Sequence, residues 1–217
     1  MLRASLILGL VAVVSRANAG PGPWTLPMGP EWKDITAEAM TDPAIAAAAK
    51  AVRDKGGTFD AKAYNDDANV LFIAVIDVPD IGHTMAELKA FESSAHRRAN
   101  EAGKPLDYRP ERTDLTLGST ELVQGPDSTI HTRRIAGFVK GAGLRAVTFN
   151  CYGETPRCEL LLASASLDTS AFVKLSTIDA SPKEPKLRLM FVVACSVVVL
   201  LLVAAYVIMK RRRSAAA

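Results

Sequence analysis

The chain has 217 residues, of which 49% are hydrophobic and 6% aromatic, and its formal net charge is +3. This length suits one domain of ordinary size. The composition excludes a disordered chain, a collagen and a repeat array, and three cysteines are too few for a scaffold built from disulfides.

The basic excess lies at the two ends of the chain. Residues 20–186 hold 19 Lys and Arg against all 23 Asp and Glu, a net charge of −4. The pI near 8.8 therefore does not reflect a nucleic-acid-binding face. We predict no nucleic-acid partner.

Residues 1–19 have the pattern of a secretory signal peptide. Arg3 supplies the positive charge, an apolar run of nine residues follows, and an A-x-A signal ends at Ala19. We predict cleavage between Ala19 and Gly20. The alternative is an uncleaved N-terminal anchor.

The domain between the two ends is predicted to be extracytoplasmic and to cover residues 20–180, with a Pro- and Lys-rich linker at 181–188. Its first half mixes helices with one strand. A helix is predicted from Pro43 to Gly56. The apolar run at 69–78 predicts a buried strand, and a T-x-x-E capping box at Thr84 opens an amphipathic helix.

The second half, after Pro110, has an apolar pattern of period two. It predicts four consecutive strands, 116–124, 129–140, 144–152 and 157–167, followed by a short helix capped by Thr169 or Ser170. Helices early and an antiparallel meander late predict an α+β fold. In this fold an antiparallel β-sheet is flanked by helices as an α/β/α sandwich, and one C-terminal transmembrane helix is added to it.

That transmembrane helix is predicted at residues 189–209, an uncharged run of 21 residues that would make about 31 Å of helix. Four cations follow it: Lys210, Arg211, Arg212 and Arg213. With the signal peptide, they predict a single-pass membrane protein with its domain outside and residues 210–217 as a cytoplasmic tail. The alternative, a buried core helix, fits poorly because the run is apolar on all faces.

Cys151 and Cys158 stand at the two ends of the last predicted hairpin, and export would bring them into an oxidising compartment. Strand alternation would place both side chains on one face, where they would meet across the turn. We predict a disulfide between them. The alternative is two small buried thiols.

No catalytic, metal-binding or cofactor-binding motif occurs in the sequence. The histidines His83, His96 and His131 are interpreted as structural because none has a second ligand at helical spacing. The basic doublets at 97–98 and 133–134 are interpreted as solvated faces. We therefore predict that the protein is not an enzyme and holds neither a cofactor nor a metal.

The segment 26–32, LPMGPEW, is similar to the opening L-P-x-G-W strand of the PsbP/Mog-type family, with two residues inserted before Trp32. The strand at 70–76, the capped helix from Thr84 and the closing meander follow in the same order. The chain thus resembles this family, including its DcrB-like exported bacterial members, over residues 24–178. The resemblance implies an α/β/α sandwich with a binding or accessory role and no shared catalytic residues.

These observations predict a membrane-tethered extracytoplasmic domain that binds an envelope protein or a small ligand, with the lipid bilayer as a further partner. The Ala-, Arg- and Gly-rich composition and the absence of N-x-S/T acceptors favour the bacterial inner membrane, with the domain in the periplasm. One alternative is an exported, hydrolase-like enzyme with a dispersed site, which needs a cleft containing His131 or His83 beside a carboxylate. Another is a structural role in membrane assembly.

Overall fold

A computed structural model of the chain describes residues 22–54, 56–79, 84–125, 128–153 and 155–178. More of these residues belong to strands than to helices. The strands are β1 (Trp24–Thr25), β2 (Lys33–Asp34), β3 (Thr58–Asn65), β4 (Val70–Val78), β5 (Lys104–Arg112), β6 (Leu117–Gln124), β7 (Thr129–Val139), β8 (Gly143–Gly153) and β9 (Ser166–Leu167).

Seven of the strands form one antiparallel sheet in the order β2-β3-β4-β8-β7-β6-β5, and β1 pairs with β9 in a separate two-stranded sheet. The strands from β5 to β8 are a meander, in which each strand pairs with the next along the chain. β4 enters the sheet between β3 and β8 and is buried along almost its whole length. A continuous apolar run is what a strand covered on both faces requires.

The helices are α1 (Thr36–Ala39), α2 (Pro43–Arg53), α3 (Met85–Ala102) and α4 (Thr155–Ala163), followed by a 3-10 turn at Leu175–Thr177. Local signals start two of them. The Asp42 carboxylate accepts the backbone N–H of Ala44 at 2.8 Å ahead of α2. Thr84 and Glu87 form the reciprocal capping box ahead of α3 that the sequence predicts.

The two faces of the seven-stranded sheet have separate cores. On the face that we call the α3 face, α2 and α3 pack over side chains such as Phe72, Phe138 and Tyr152. On the opposite face, the α4 face, α4 and the N-terminal segment cover side chains such as Ile73 and Phe149. Alternation along each strand divides the residues between the two faces.

The predicted fold class is wrong. The described residues are mostly antiparallel sheet with a few helices, and none of the described helices is long and apolar enough to cross a membrane. The longest of them, α3, has 18 residues and carries charged side chains such as Lys89 and Arg97. The predicted transmembrane helix and the predicted single-pass membrane localisation are therefore not supported by the described part of the chain.

Several predicted segments lie outside the described residues. They are the signal peptide 1–19 with its cleavage point at Ala19 and Gly20, the linker 181–188, the span 189–209, and the tail 210–217 with Lys210, Arg211, Arg212 and Arg213.

The predicted strand 157–167 is also wrong, because its first part is the helix α4. Pro156 occupies the first turn, where proline is compatible with a helix. Cys158, Leu161 and Leu162 are buried at helical spacing, whereas Leu160 is 73% exposed. A strand would place Leu160 and Leu162 on the same face, so the burial pattern has period 3.6 and not two.

Two of the long strands were missed by the sequence prediction. β3 pairs with β4 across a tight turn in which the Asp66 carboxylate accepts the Asn69 N–H at 2.6 Å and Asp67 has a φ of 71°. β5 is an edge strand that contains Pro105 and Pro110 and is mostly exposed. Charge and proline on an edge strand hinder unwanted pairing, and they also hide the strand from pattern analysis.

A disulfide joins Cys151 in β8 to Cys158 in α4. It therefore connects a central strand to a helix, whereas the sequence placed it across a hairpin. Both cysteines are fully buried in the core of the α4 face. The bridge holds the first turn of α4 against the sheet.

Candidate functional site

The α4 face of the sheet is only partly covered. α4 has nine residues and packs on β7 and β8, whereas the longer α3 packs on β5, β6 and β7 from the other side. On the α4 face, α4 therefore does not cover β5 and β6. An open groove runs between these strands and the segment formed by α4 and β9.

Two adjoining cavities make up this groove. The first, which we call the charged cavity, has a volume of about 350 Å³ and is lined by Arg109, Glu111, Thr120, His131, Arg133, Glu159, Leu162 and Ala163. The second, the hydroxyl-rich cavity, has a volume of about 460 Å³ and is lined by Glu111, Thr113, Asp114, Leu115, Thr116, Gly118, Arg133, Ile135, Ala165, Ser166, Leu167 and Thr169. Glu111 and Arg133 line both, so the two cavities meet at this ion pair.

Arg133 connects the sheet to the C-terminal end of α4. Its Nη1 donates to the carbonyl oxygens of Leu162 at 3.0 Å and Ala165 at 2.7 Å. Its Nη2 donates to Glu111 Oε2 at 2.9 Å. A guanidinium group suits this position because the last carbonyls of a helix have no partners within the helix. The predicted solvated role of the doublet 133–134 is therefore wrong for Arg133.

His131 lies in β7 opposite Cys151 and lines the charged cavity. Only 5% of the residue is exposed, and its Nε2 has no hydrogen-bond partner in the described part of the chain. Burial lowers the pKa of His131 below its usual value of 6.5, and the Glu159 carboxylate opposes this shift. The side chain is therefore a neutral imidazole at neutral pH.

The remaining charged groups of the charged cavity lie at its rim. Glu159 projects from α4 and is exposed, and no hydrogen bond or ion pair to it occurs among the described residues. Arg109 is paired with Asp107 in β5 at 2.7 Å, and both side chains are largely exposed. The Glu111 carboxylate also accepts the hydroxyl of Thr120, so both of its oxygens are engaged.

A second polar cluster lies under α3, on the opposite face. The Glu121 carboxylate and the Arg134 guanidinium are both nearly inaccessible and form an ion pair. His96 Nδ1 lies 3.3 Å from Glu121 Oε1, and the His96 ring lies over Tyr108 with 3.9 Å between centroids. The predicted solvated role is thus wrong for Arg134 as well. None of the residues of this cluster lines either cavity of the groove.

The structure separates the residues that the sequence singled out. Of the two histidines that the structure describes, His131 lines the groove and His96 lies on α3, whereas His83 lies outside the described residues. The other polar groups of the charged cavity, among them Glu111 and Glu159, were missed by sequence analysis. Period-two alternation in β7 places His131 and Arg133 on one face, but the position of Glu159 follows only once residues 155–163 are helical.

Comparisons with known proteins identify no relative. No family model matches the chain, and no curated protein or solved structure is significantly similar to it. The resemblance to the PsbP/Mog-type family therefore stays a prediction. In the described ranges, no three His, Cys, Asp or Glu side chains are arranged to hold a metal ion.

Proposed function

We propose that this domain is a binding module for a small amphipathic ligand, held in the groove beside α4. The observation that carries the proposal is the pair of adjoining cavities of about 350 and 460 Å³ above β5–β7. Volumes of this size are typical of ligand sites, and concave sites of this kind are few in a protein. The sheet supplies a rigid floor, which favours binding because little order is lost when a ligand enters.

The lining of the groove supports an amphipathic ligand. In the hydroxyl-rich cavity, Leu115, Ile135 and Leu167 supply apolar surface, and hydroxyl groups such as that of Ser166 stand between them. The charged cavity presents the imidazole of His131 among charged side chains. A ligand with an apolar body and one polar head would match both parts.

A filling substitution tests this proposal. We expect the full-length protein to bind the neutral fluorophore N-phenyl-1-naphthylamine saturably, with methyl shifts in NMR spectra at Ile135 and Leu167. Ser166→Trp, at an exposed position of the hydroxyl-rich cavity, should abolish this saturable binding because the indole would fill the cavity. Ser93→Trp on the exposed side of α3 is the matched control and should leave it unchanged. Equal binding by both variants would contradict the proposal.

A hydrolase-like enzyme is the second candidate, and His131 favours it. The groove contains this neutral imidazole near the Glu159 carboxylate, which is an arrangement that can serve a general base. This candidate predicts turnover of an ester such as p-nitrophenyl hexanoate, and loss of that turnover in His131→Gln. Binding of the neutral fluorophore without ester turnover would favour the binding module. The predicted envelope-protein partner stays a prediction.

A further inference from the structure

Some hydrogen-bonding groups of the charged cavity already have a partner within the chain, and others have none. The Arg133 guanidinium donates hydrogen bonds to Glu111 and to the carbonyl groups at the end of α4. Both oxygens of Glu111 are used in turn. Two side chains remain without a hydrogen-bond partner in the described part of the chain: Glu159, whose carboxylate is exposed, and His131, which is more than nine-tenths buried.

The charge around the groove is negative. Each of its two guanidinium groups, on Arg109 and Arg133, is already paired with a carboxylate of the same chain. Two more carboxylates, those of Asp114 and Glu159, line the cavities without an ion pair to any described residue. In a partly desolvated groove, unpaired carboxylates attract a cation and repel an anion.

We propose that the polar head of the ligand is a protonated primary amine, bound between Glu159 and His131, with its apolar tail in the hydroxyl-rich cavity. This inference rests on the proposed function of the groove, and it names the chemical class of the ligand.

An ammonium group fits the unused groups better than the other common polar heads do. It carries three hydrogen-bond donors and no acceptor. One donor would bind the Glu159 carboxylate in a charge-assisted hydrogen bond. A neutral imidazole has one unprotonated ring nitrogen, which His131 offers as an acceptor for a second donor. A carboxylate head would meet Glu159 with like charge, and each side-chain nitrogen of Arg133 already donates to an oxygen of the chain.

Three probes with the same six-carbon tail test the head group. n-Hexylammonium, 1-hexanol and hexanoate are titrated against the full-length protein, with displacement of N-phenyl-1-naphthylamine and the side-chain ¹⁵N signals of His131 as readouts. We expect hexylammonium to bind about tenfold more tightly than hexanol, because a hydrogen bond to a charged group adds this much affinity. Hexanoate should bind more weakly than hexanol.

Matched variants assign that preference to the named groups. Glu159→Gln keeps the size of the side chain and removes its charge, so the preference for hexylammonium over hexanol should disappear while hexanol binding is retained. Glu101→Gln removes an exposed charge on α3 and should leave the preference intact. His131→Gln should weaken hexylammonium binding without reversing the order of the three probes.

The outcomes separate the two proposals. If hexanol and the fluorophore bind but hexylammonium has no advantage, or if Glu159→Gln retains the advantage, the amine head is wrong and the binding groove stands. Tighter binding of hexanoate would also overturn the amine head. If neither the fluorophore nor any of the three probes binds in a way that Ser166→Trp abolishes, the proposed function itself fails.

Discussion

At the scale of single residues, His131 connects the groove to the stability of the fold. It is buried beside the disulfide on the α4 face, and burial lowers its pKa while Glu159 acts in the opposite direction. In the unfolded chain the same imidazole would titrate near 6.5. Between its folded and unfolded pKa values, the unfolded state therefore binds more protons than the folded state does.

The first prediction follows from this difference. The stability contributed by neutral His131 is fully present above pH 6.5 and is lost as the pH falls below it, because acid then favours the unfolded chain. We expect the free energy of unfolding to fall more steeply from pH 7.5 to 5 in the native protein than in His131→Gln. Urea denaturation at several pH values measures both slopes.

Comparison with the variant isolates this titration. The other charged side chains that line the cavity with His131 are Arg109 and Glu111 from β5, Arg133 from β7 and Glu159 from α4. All four remain in His131→Gln, so their own titration largely cancels in the difference between the two curves. If the two curves of unfolding free energy against pH run parallel, His131 does not contribute to the pH dependence of stability.

At the scale of secondary-structure elements, the buried Glu121–Arg134 pair connects β6 to β7 beneath α3. Glu121 also accepts the hydroxyl of Ser119 at 3.1 Å, and His96 on α3 lies within 3.3 Å of the same carboxylate. A buried ion pair adds little to the free energy of unfolding compared with two well-packed apolar residues. Removing one partner lowers that free energy strongly, because the other charge is left buried and unpaired.

The second prediction uses that asymmetry. Arg134→Met leaves the Glu121 carboxylate buried without its cation, and we expect the free energy of unfolding to fall by about 3–5 kcal/mol. The double variant Arg134→Met/Glu121→Leu should recover most of this loss. Arg109→Met, in the exposed pair with Asp107, is the control and should cost less than about 1 kcal/mol. Equal losses in Arg134→Met and Arg109→Met would contradict the prediction.

The elements also differ in how well their sequence predicted them. α2, α3, β4, β6, β7 and β8 were predicted because each has its own cap or apolar period. α4 was missed because the segment Arg157–Leu167 has apolar residues at both helical and alternating spacing, and the helix is selected by what its side chains contact. Cys158, Leu161 and Leu162 face the sheet core together only in the helical form.

At the scale of the whole molecule, the position of α4 determines the groove. It is held at its first turn by the Cys151–Cys158 disulfide and by Arg157, whose Nη2 donates to Glu31 Oε1 at 2.7 Å. It is held at its end by Arg133. These contacts connect the N-terminal segment, the centre of the sheet and one wall of the groove.

The third prediction concerns the disulfide. Its closed loop has eight residues, and the chain-entropy relation gives about 2.5 kcal/mol for a loop of this length. We expect Cys151→Ala/Cys158→Ala to lose about this free energy of unfolding and to speed amide hydrogen exchange in α4 more than in α3. Reduction of the native protein with dithiothreitol should have a similar effect. An unchanged stability in both would mean that the bridge does not constrain α4.

Several features of this protein are specified by neighbouring residues alone. The capping box at Thr84, the buried run of β4 and the alternation of β6 to β8 follow from local chemistry, because a cap or a repeat period is complete within a few residues.

The groove and the pairing of the charged residues depend on contacts between residues that are distant in the sequence. Arg133, Arg134 and His131 are close in sequence, yet alternation sends Arg134 under α3 and the other two towards α4. Glu111 from β5 and Glu159 from α4 line the same cavity as His131 and Arg133. They do so because long-range pairing sets the order of the strands in the sheet. Burial and charge pairing are properties of distant residues brought together, so no local pattern in the sequence encodes them.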